Sequence, residues 1–261
     1  MAWVLDLDGV VWLADQPIVG AAAAVEALRG AGEEVVFVTN NSNGTVADYE
    51  AKLAAHGVEA GGAVITSAMA AAGLVRAGAR VLVCGGPGVW EAVEKRGATP
   101  VTDGDADAVI VGFHPEFDYE RLRVASAAVR RGARLIGTND DATFPTPNGP
   151  IPGNGSLLAA VATAGGAAPV VAGKPYAPMA ALVRERCGPI ATFVGDRPDT
   201  DGRLARVLGY RFVLVLSGVT TEAELPVDPA PDLVVADLAA AVAAPGAATA
   251  PGPGGAGSTT E

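Results

Sequence analysis

Short apolar runs alternate along the chain with longer segments that mix apolar and polar residues. The apolar runs are too short for helices and too hydrophobic for exposed loops, so they predict buried strands. These strands are expected at residues 3–5, 34–38, 64–65, 80–83, 108–111, 134–136, 169–171, 192–194 and 212–216. The mixed segments predict helices at residues 21–29, 46–56, 67–77, 89–96, 119–131, 155–164, 178–186 and 199–208, with Ser67 as the expected cap of the third.

Strands that alternate with helices of this length predict βα units around a mostly parallel sheet, and therefore an α/β fold. The units are more numerous than one compact sheet comfortably holds, which favours two α/β domains. We expect residues 78–172 to form a smaller domain inserted into a larger one made of residues 1–77 and 173–243. Residues 244–261 are dominated by Pro, Gly, Ala, Ser and Thr, a composition that predicts a disordered tail.

The composition narrows the range of functions. The 261 residues are half hydrophobic, and their formal net charge is -11. An acidic chain has no electrostatic reason to bind nucleic acid or an anionic membrane, so any anion site must be built locally. Cys84 and Cys187 are expected to be inert buried thiols rather than a disulfide framework. No signal peptide or transmembrane stretch is evident, and the expected location is therefore the cytoplasm.

Two carboxylates, Asp6 and Asp8, follow the first apolar run in the sequence Asp6-Leu7-Asp8-Gly9. Carboxylates in an apolar setting are costly unless something pairs with them. A hard divalent cation such as Mg²⁺ prefers oxygen ligands and is the obvious partner for clustered acids. The sequence therefore predicts a metal-assisted enzyme.

Other polar residues also occur where predicted strands end, and the carboxyl ends of parallel strands are where sites form in open sheets. The segments are Thr39-Asn40-Asn41-Ser42, Gly173-Lys174-Pro175, Gly195-Asp196-Arg197 and Thr200-Asp201. Three carboxylates can hold Mg²⁺, while a hydroxyl, backbone amides and one ammonium can hold a tetrahedral dianion. Lysine is rare in this chain, with only three examples, and Lys174 is one of them. This combination predicts a site for a phosphoryl group.

Taken together, these segments resemble the four signature motifs of the haloacid dehalogenase-like phosphatases, in the family's order. The resemblance implies a doubly wound parallel-sheet core with an inserted α/β cap that sets substrate specificity. The insertion resembles the larger cap of the subgroup that contains nucleotide, phosphoglycolate, glycerol-phosphate, pyridoxal-phosphate and p-nitrophenyl phosphatases. That subgroup's pattern is similar to the sequences Thr138-Asn139-Asp140-Asp141, Pro145, Pro152-Gly153-Asn154-Gly155-Ser156 and Ser217-Gly218-Val219-Thr220. The implied activity is Mg²⁺-dependent hydrolysis of a small cytosolic phosphometabolite, and the residues do not specify which one.

Chemistry and resemblance together imply roles for four acids. Asp6 is the expected nucleophile that forms an aspartyl phosphate. Asp8 is expected to protonate the leaving alkoxide and then to deprotonate the attacking water, while its backbone carbonyl binds the metal. Asp6 and Asp196 are the other expected metal contacts. Asp201 is expected behind them, where it orients a water of the metal.

Phosphate and substrate contacts are implied in the same way. The Thr39 hydroxyl and the Asn40 amide are expected to hold phosphate oxygens. Lys174 is expected to pair with both the phosphate and Asp6, because a compact ammonium fits between two anions better than a planar guanidinium. In the cap, Asn139 and Asp141 are candidates for substrate contact.

Simpler interpretations remain open for some of these residues. A calcium loop at Asp6 would need further oxygen ligands, and Val10-Val11-Trp12 supplies none. The segment 84–88 faintly suggests a dinucleotide loop, but its glycine spacing is wrong. Asp199 and Thr200 are equally explained as a helix cap. His114 is expected to be an ordinary loop histidine rather than a substrate contact.

Two other functions use similar residues. A phosphomutase would share the nucleophile but return the phosphoryl group to the substrate. A receiver-type phosphoacceptor domain also combines clustered acids, a hydroxyl, a lysine and Mg²⁺, yet such domains are much shorter and lack an acid at the position of Asp8. A non-catalytic binding module is disfavoured because nucleophile and lysine are both present. A homodimer through the cap is implied by the resemblance alone.

Overall fold

The structure is a computed structural model that describes residues 1–144, 146 and 149–244. The predicted disordered tail begins at residue 244, and residues 245–261 lie outside the described residues, as does Pro145 of the predicted cap pattern. Within the described ranges, no helix combines the length and the apolar character that crossing a membrane requires.

The secondary structure follows the alternation expected from the sequence. The strands are β1 (Ala2–Asp6), β2 (Trp12–Leu13), β3 (Gln16–Pro17), β4 (Glu34–Thr39), β5 (Val64–Thr66), β6 (Arg80–Cys84), β7 (Thr99–Val101), β8 (Ala108–Val111), β9 (Arg134–Gly137), β10 (Thr143–Phe144), β11 (Ile151–Pro152), β12 (Val170–Val171), β13 (Ala191–Gly195), β14 (Arg211–Val215) and β15 (Leu233–Val235). The α-helices are α1 (Ala21–Gly30), α2 (Val46–Ala55), α3 (Ser67–Ala72), α4 (Pro87–Lys95), α5 (Tyr119–Arg130), α6 (Asn154–Gly165), α7 (Ala177–Cys187), α8 (Arg203–Leu208) and α9 (Leu238–Ala243).

The larger sheet has six parallel strands in the order β15-β14-β13-β1-β4-β5. Successive side chains of a strand point to opposite faces, and β1 shows the consequence. Val4 packs into a hydrophobic cluster with α3, α7 and α8, whereas Trp3 and Leu5 pack into a cluster with α1, α2 and α9. Helices therefore cover both faces of the sheet, which confirms the predicted doubly wound α/β core.

The smaller sheet has five parallel strands in the order β12-β9-β8-β6-β7, all taken from the segment 80–171. One face packs against α5 and α6. The other face shares a hydrophobic cluster with the larger sheet, in which Val81 of β6 and Val36 of β4 both take part. The boundaries 1–77, 78–172 and 173–243 stay predictions, because a shared cluster does not mark where one domain ends.

Several short elements are not apparent from the sequence pattern. The hairpins β2–β3 and β10–β11 have strands of two residues, too short for any periodicity. Both β7 and β15 are edge strands of three residues. The expected helix at 199–208 opens with a π-helical turn, Pro198–Gly202, before α8.

The cap of helix α3 lies one residue before the one that the sequence suggests. Thr66, not Ser67, is its cap, and the Thr66 hydroxyl accepts a hydrogen bond from the Met69 amide at 3.3 Å. The prediction of Ser67 as the cap was wrong because both residues suit the position. The Ser67 hydroxyl instead donates to the backbone oxygen of Asn40 at 2.6 Å.

Candidate active site

The carboxyl ends of β1, β4 and β13 meet at one edge of the larger sheet, because β1 lies between the other two strands. A cavity of about 870 Å³ opens at this edge. It is lined by most of the residues singled out from the sequence, namely Asp6, Asp8, Thr39, Asn40, Asn139, Asp141, Lys174 and Asp196. Asp201 is fully buried behind them. The parallel sheet thus gathers segments that are distant in the chain.

A buried lysine lies between two buried acids at the floor of the cavity. The Lys174 ammonium nitrogen is 2.8 Å from Oδ1 of Asp6 and 2.7 Å from Oδ1 of Asp201. Its side chain is only 2% exposed. Burial lowers the pKa of Lys174, but the two carboxylates outweigh burial, so its net pKa lies above the ordinary value. The lysine is therefore a fixed positive charge.

The acids of the floor outnumber this single cation. Carboxylate oxygens of Asp6, Asp196 and Asp201 all lie within 4.8 Å of one another. Burial raises the pKa of Asp6 well above its ordinary value, and Asp201 raises it further, while Lys174 opposes both. Three acids and one ammonium leave an excess of negative charge in a buried place, and a divalent cation would offset that excess.

Asp196 carries the clearest sign of a missing partner. Its Oδ2 accepts a hydrogen bond from the Val219 amide at 2.6 Å, whereas its Oδ1 is buried and has no hydrogen-bond partner among the described residues. Burial, followed by repulsion from Asp201, raises the pKa of Asp196 to about 7. Because buried polar atoms are rarely left unpaired, this oxygen fits a metal ligand. The donor set, made of hard carboxylate oxygens, suits Mg²⁺.

Glycines keep the space around Asp196 open. A Cβ on Gly218 would lie 2.0 Å from Oδ2 of Asp196, and a Cβ on Gly9 would lie 2.4 Å from the same atom. Gly9 also has a φ of 81°, which favours glycine. Any larger residue at either position would push the Asp196 carboxylate out of place.

Asp201 differs from Asp196 because protein donors reach both of its oxygens. Lys174 binds Oδ1, and the Arg197 amide donates to Oδ2 at 3.1 Å. An acid already satisfied in this way is better placed to orient its neighbours than to hold an ion directly. The sequence did not predict the pairing of Lys174 with Asp201.

Asn40 connects segments that follow strands of the two sheets. Its side-chain oxygen accepts from the Lys174 amide at 2.7 Å, and its side-chain nitrogen donates to Oδ2 of Asp141 at 3.2 Å. The Asn139 side chain donates to the Asn40 backbone oxygen at 2.7 Å. Thr39 is nearby, and its hydroxyl accepts from the Asn41 amide at 3.0 Å. The predicted cap residues are thus bonded to the core at the cavity wall.

Asp8 is separate from the acid cluster. Its Oδ1 accepts a hydrogen bond from the indole nitrogen of Trp12 at 3.0 Å. Burial raises the pKa of Asp8, while the Trp12 hydrogen bond and the Lys52 charge oppose that rise. An acid with a raised pKa at a cavity wall suits proton transfer.

The cavity also contains residues that the sequence analysis did not assign to the site. They include aromatic and cationic side chains, namely Trp12, Tyr49, Lys52, Phe113, Phe144 and Arg197. The rarity of lysine is a signal that applies to Lys52 as well as to Lys174. The aromatic residues give no comparable signal, since buried aromatic side chains are common in any core.

Two of the simpler interpretations are resolved by the geometry. His114 does not line the cavity, and its Nδ1 accepts from the Glu116 amide at 3.3 Å, as expected of a loop histidine. Asp199 does not cap the following helix. Its carboxylate instead binds the Arg197 guanidinium, at 2.9 Å and 3.2 Å.

Comparisons with known proteins agree with this geometry. A family described as haloacid dehalogenase-like hydrolase matches residues 3–99, and a second family, described as HAD-hydrolase-like, matches residues 171–241. The chain is 35% identical over 230 residues to the acid sugar phosphatase of Staphylococcus haemolyticus, covering 85% of this chain and 88% of that protein.

Solved structures show the same similarity over most of the chain. The glycerol phosphate phosphatase of Mycobacterium tuberculosis, in complex with magnesium, superposes with a TM-score of 0.84 at 35% identity, covering 91% of this chain and 74% of that one. The p-nitrophenyl phosphatase of Archaeoglobus fulgidus gives a TM-score of 0.86 at 30% identity, covering 92% and 97%. The sequence motifs, the fold and these relatives lead to one conclusion: the chain belongs to the haloacid dehalogenase-like hydrolases.

Proposed function

We propose that this protein is a Mg²⁺-dependent phosphomonoesterase that hydrolyses a small phosphorylated metabolite through an aspartyl phosphate on Asp6. The observation that carries the proposal is the buried group of Asp6, Asp196 and Lys174, in which Asp196 has an unpaired oxygen. Thr39 and Asp8 line the same cavity, so phosphate-binding and proton-transfer groups lie beside the acids. The relatives named as phosphatases support this reading.

Mg²⁺ would be held by the carboxylates of Asp6 and Asp196 and by the backbone carbonyl of Asp8. The unpaired Oδ1 of Asp196 and the raised pKa of both carboxylates support this ligand set. Bound there, the ion would neutralise charge on the phosphoryl group during transfer. Asp201 would act from behind, through Lys174.

The protein's own residues would then carry out two displacements. In the first, an Asp6 carboxylate oxygen bonds to phosphorus, the ester P–O bond breaks, and the leaving oxygen takes a proton from Asp8. In the second, Asp8 takes a proton from water as the water oxygen attacks phosphorus, and the bond from phosphorus to Asp6 breaks. The products are an alcohol and inorganic phosphate, and both aspartates return to their starting states.

Three groups would hold the phosphoryl oxygens in place. The Thr39 hydroxyl and the Asn40 amide are at the end of β4, and the Lys174 ammonium lies beside Asp6 in the same cavity. Lys174 is already pinned through its backbone by Asn40, which limits how far its ammonium can move. This pre-organisation supports catalysis by positioning and charge neutralisation.

The substrate would be a small hydroxylated phosphate, such as glycerol phosphate or a sugar phosphate. Beyond the acid floor, the cationic side chains at the described cavity wall already have acidic partners: Lys52 lies 3.5 Å from Asp15, and Arg197 binds Asp199. Asp141 adds a further acid to this wall. A carboxylated substrate such as phosphoglycolate would meet few unpaired cations, whereas hydroxyl groups could bond to amides and carboxylates.

Residues 78–172 would serve as the cap that selects the substrate, with Asn139 and Asp141 as contact residues. Residues 1–77 and 173–243 would form the catalytic core. A homodimer through the cap belongs to the same proposal and rests on the family resemblance. A cytoplasmic location also belongs to it and rests on the sequence pattern alone.

Phosphate release from glycerol 3-phosphate and 4-nitrophenyl phosphate, with Mg²⁺ and with EDTA, tests the proposal. We expect many turnovers with Mg²⁺ and none with EDTA. The Asp6→Asn variant should lose turnover, while retained activity in this variant would remove Asp6 as the nucleophile. Isomerisation of a sugar phosphate without phosphate release would indicate a phosphomutase. A single stable phosphorylation by acetyl phosphate would indicate a receiver-type domain.

A further inference from the structure

Trp12 makes a contact that the proposed reaction does not account for. The indole is 1% exposed, and its nitrogen donates to Oδ1 of Asp8 at 3.0 Å. Both residues line the cavity, so the hydrogen bond lies at the wall where the substrate would bind. A buried tryptophan aimed at the proposed acid–base residue points to a role in its placement.

The chain reverses tightly to bring Trp12 back to Asp8. Gly9, with a φ of 81°, permits the reversal, and its amide donates to the Trp12 backbone oxygen at 2.6 Å. The Trp12 amide in turn donates to the Leu7 backbone oxygen at 3.2 Å. Backbone bonds on both sides therefore hold the indole where it meets the Asp8 carboxyl group.

Lys52 secures the outer side of the same indole. Its ammonium nitrogen lies 4.5 Å from the centre of the Trp12 ring, within range of a cation–π interaction. It also donates to the backbone oxygen of Ala14 at 2.7 Å and lies 3.5 Å from Oδ1 of Asp15. Lys52 thereby ties the turn of the β2–β3 hairpin to helix α2, and its charge polarises the ring.

We propose that Trp12, supported by Lys52, is a positioning residue that fixes which oxygen of Asp8 carries the transferred proton. The indole nitrogen can only donate, so Oδ1 of Asp8 must act as the acceptor in that bond. In a protonated carboxyl group the carbonyl oxygen is the better acceptor, so this bond favours Oδ2 as the oxygen that carries the proton for the leaving group. The proton passes from Oδ2 to the leaving oxygen, which holds the electron pair of the broken P–O bond. This inference rests on the proposed function.

Substrates whose leaving groups differ in basicity distinguish this role from a merely structural one. A structural defect would lower kcat/KM for both substrates alike, whereas a defect in proton transfer would lower it mainly for the more basic leaving group. An alkoxide leaves poorly without a proton, whereas 4-nitrophenolate leaves readily without one. The ratio kcat/KM reports the steps up to phosphoryl transfer to Asp6, so it isolates this proton transfer. Trp12→Phe should lower kcat/KM for glycerol 3-phosphate by about 10-fold or more, a part of what general acid catalysis contributes. For 4-nitrophenyl phosphate, the decrease should be less than about 3-fold.

Trp3→Phe is a matched control. Trp3 is also 1% exposed and belongs to the same hydrophobic cluster as Trp12, but its indole nitrogen has no hydrogen-bond partner among the described residues. The Trp3→Phe variant should lose a comparable amount of packing, and its kcat/KM should change by the same factor for both substrates. Equal decreases for both substrates in Trp12→Phe, or no decrease, would overturn the inference.

Lys52→Met gives a second test that leaves the core intact, because the Lys52 side chain is 32% exposed. Lys52→Met should lower kcat/KM for glycerol 3-phosphate by about 3-fold and leave kcat/KM for 4-nitrophenyl phosphate unchanged, a smaller version of the effect of Trp12→Phe. Lys95→Met, on the exposed face of α4, should leave kcat/KM unchanged for both substrates. The positioning role is contradicted if neither Lys52→Met nor Trp12→Phe lowers kcat/KM more for glycerol 3-phosphate than for 4-nitrophenyl phosphate. If Asp6→Asn is inactive in the same experiments, the proposed phosphatase function is still supported. An active Asp6→Asn would contradict the function itself.

Discussion

Raising the pH should destabilise the metal-free protein, because Asp196 must then give up a proton that burial helps it to keep. Burial and the nearby Asp201 raise the pKa of Asp196 from 3.8 to about 7. A group whose pKa is higher in the folded state contributes stability that is complete below the unfolded pKa and is lost as the pH rises through the folded one. We therefore expect the free energy of unfolding to decrease between about pH 4 and about pH 8.

The size of the effect follows from the two pKa values. A rise of about three units corresponds to about 4 kcal/mol in total. About 2.5 kcal/mol of this is lost between pH 5 and pH 8, because at pH 5 most of the folded protein still carries the proton. Burial also raises the pKa of Asp6 and of Asp8, so these acids act in the same direction.

Urea unfolding in EDTA at pH 5 and at pH 8 measures the effect. The whole chain has a net charge of -11, so general repulsion also grows with pH, and a control is needed. Asp196→Asn should remove about 2.5 kcal/mol of the difference between the two pH values. Asp103→Asn removes the same charge from an exposed loop and should leave the difference unchanged. An equal pH dependence in both variants would refute the reasoning.

Mg²⁺ should offset the loss of stability at high pH, since the cation and the proton compete for the same carboxylate oxygens. At a concentration 100 times its Kd, a ligand that binds only the folded state adds about 2.7 kcal/mol. We expect this gain to be larger at pH 8 than at pH 5 in the unaltered protein, and small at both in Asp196→Asn. A full Mg²⁺ gain in Asp196→Asn would show that the ion binds elsewhere.

Three further predictions concern Lys174, Gly218 and Ser67. Lys174→Met should reduce the free energy of unfolding by about 3–5 kcal/mol in urea, because it leaves two buried carboxylates without their cation; a loss below about 1 kcal/mol would contradict the ion pairs. Gly218→Ala should displace the Asp196 carboxylate and weaken Mg²⁺ activation about 10- to 100-fold, as a Mg²⁺ titration of activity would show. Ser67→Ala should cost about 1 kcal/mol in urea unfolding, because the Asn40 backbone oxygen loses a donor; an unchanged stability would mean that water replaces it.

The architecture of the site was predictable because it depends on strand ends. A buried apolar run shows itself in the sequence, and the polar residue that follows it must lie at the carboxyl edge of a parallel sheet. Asp6, Thr39 and Asp196 could be brought together by this argument alone. Lys174 follows a strand of the smaller sheet, and its chemistry, rather than any periodicity, identified it.

The contacts between these residues were not predictable in the same way. The pairing of Lys174 with Asp201 depends on the π-helical turn after β13, which sequence periodicity does not reveal. The bond from Trp12 to Asp8 depends on a reversal at Gly9. A sequence shows that such a turn is permitted, but which side chains it brings into contact is decided by tertiary packing.

The charge balance at the cavity floor explains why metal and substrate must depend on each other. Asp6, Asp196 and Asp201 face one ammonium, Lys174, which is already shared between two of them. A phosphate dianion brought to this floor alone would add to an excess of negative charge, and the rest of the chain is acidic as well. A divalent cation offsets that excess, and by linkage the phosphate must strengthen the binding of the cation to the same degree. At this floor, where three acids outnumber one ammonium, the proposed site for an anionic substrate is therefore completed by a cation that the protein does not itself supply.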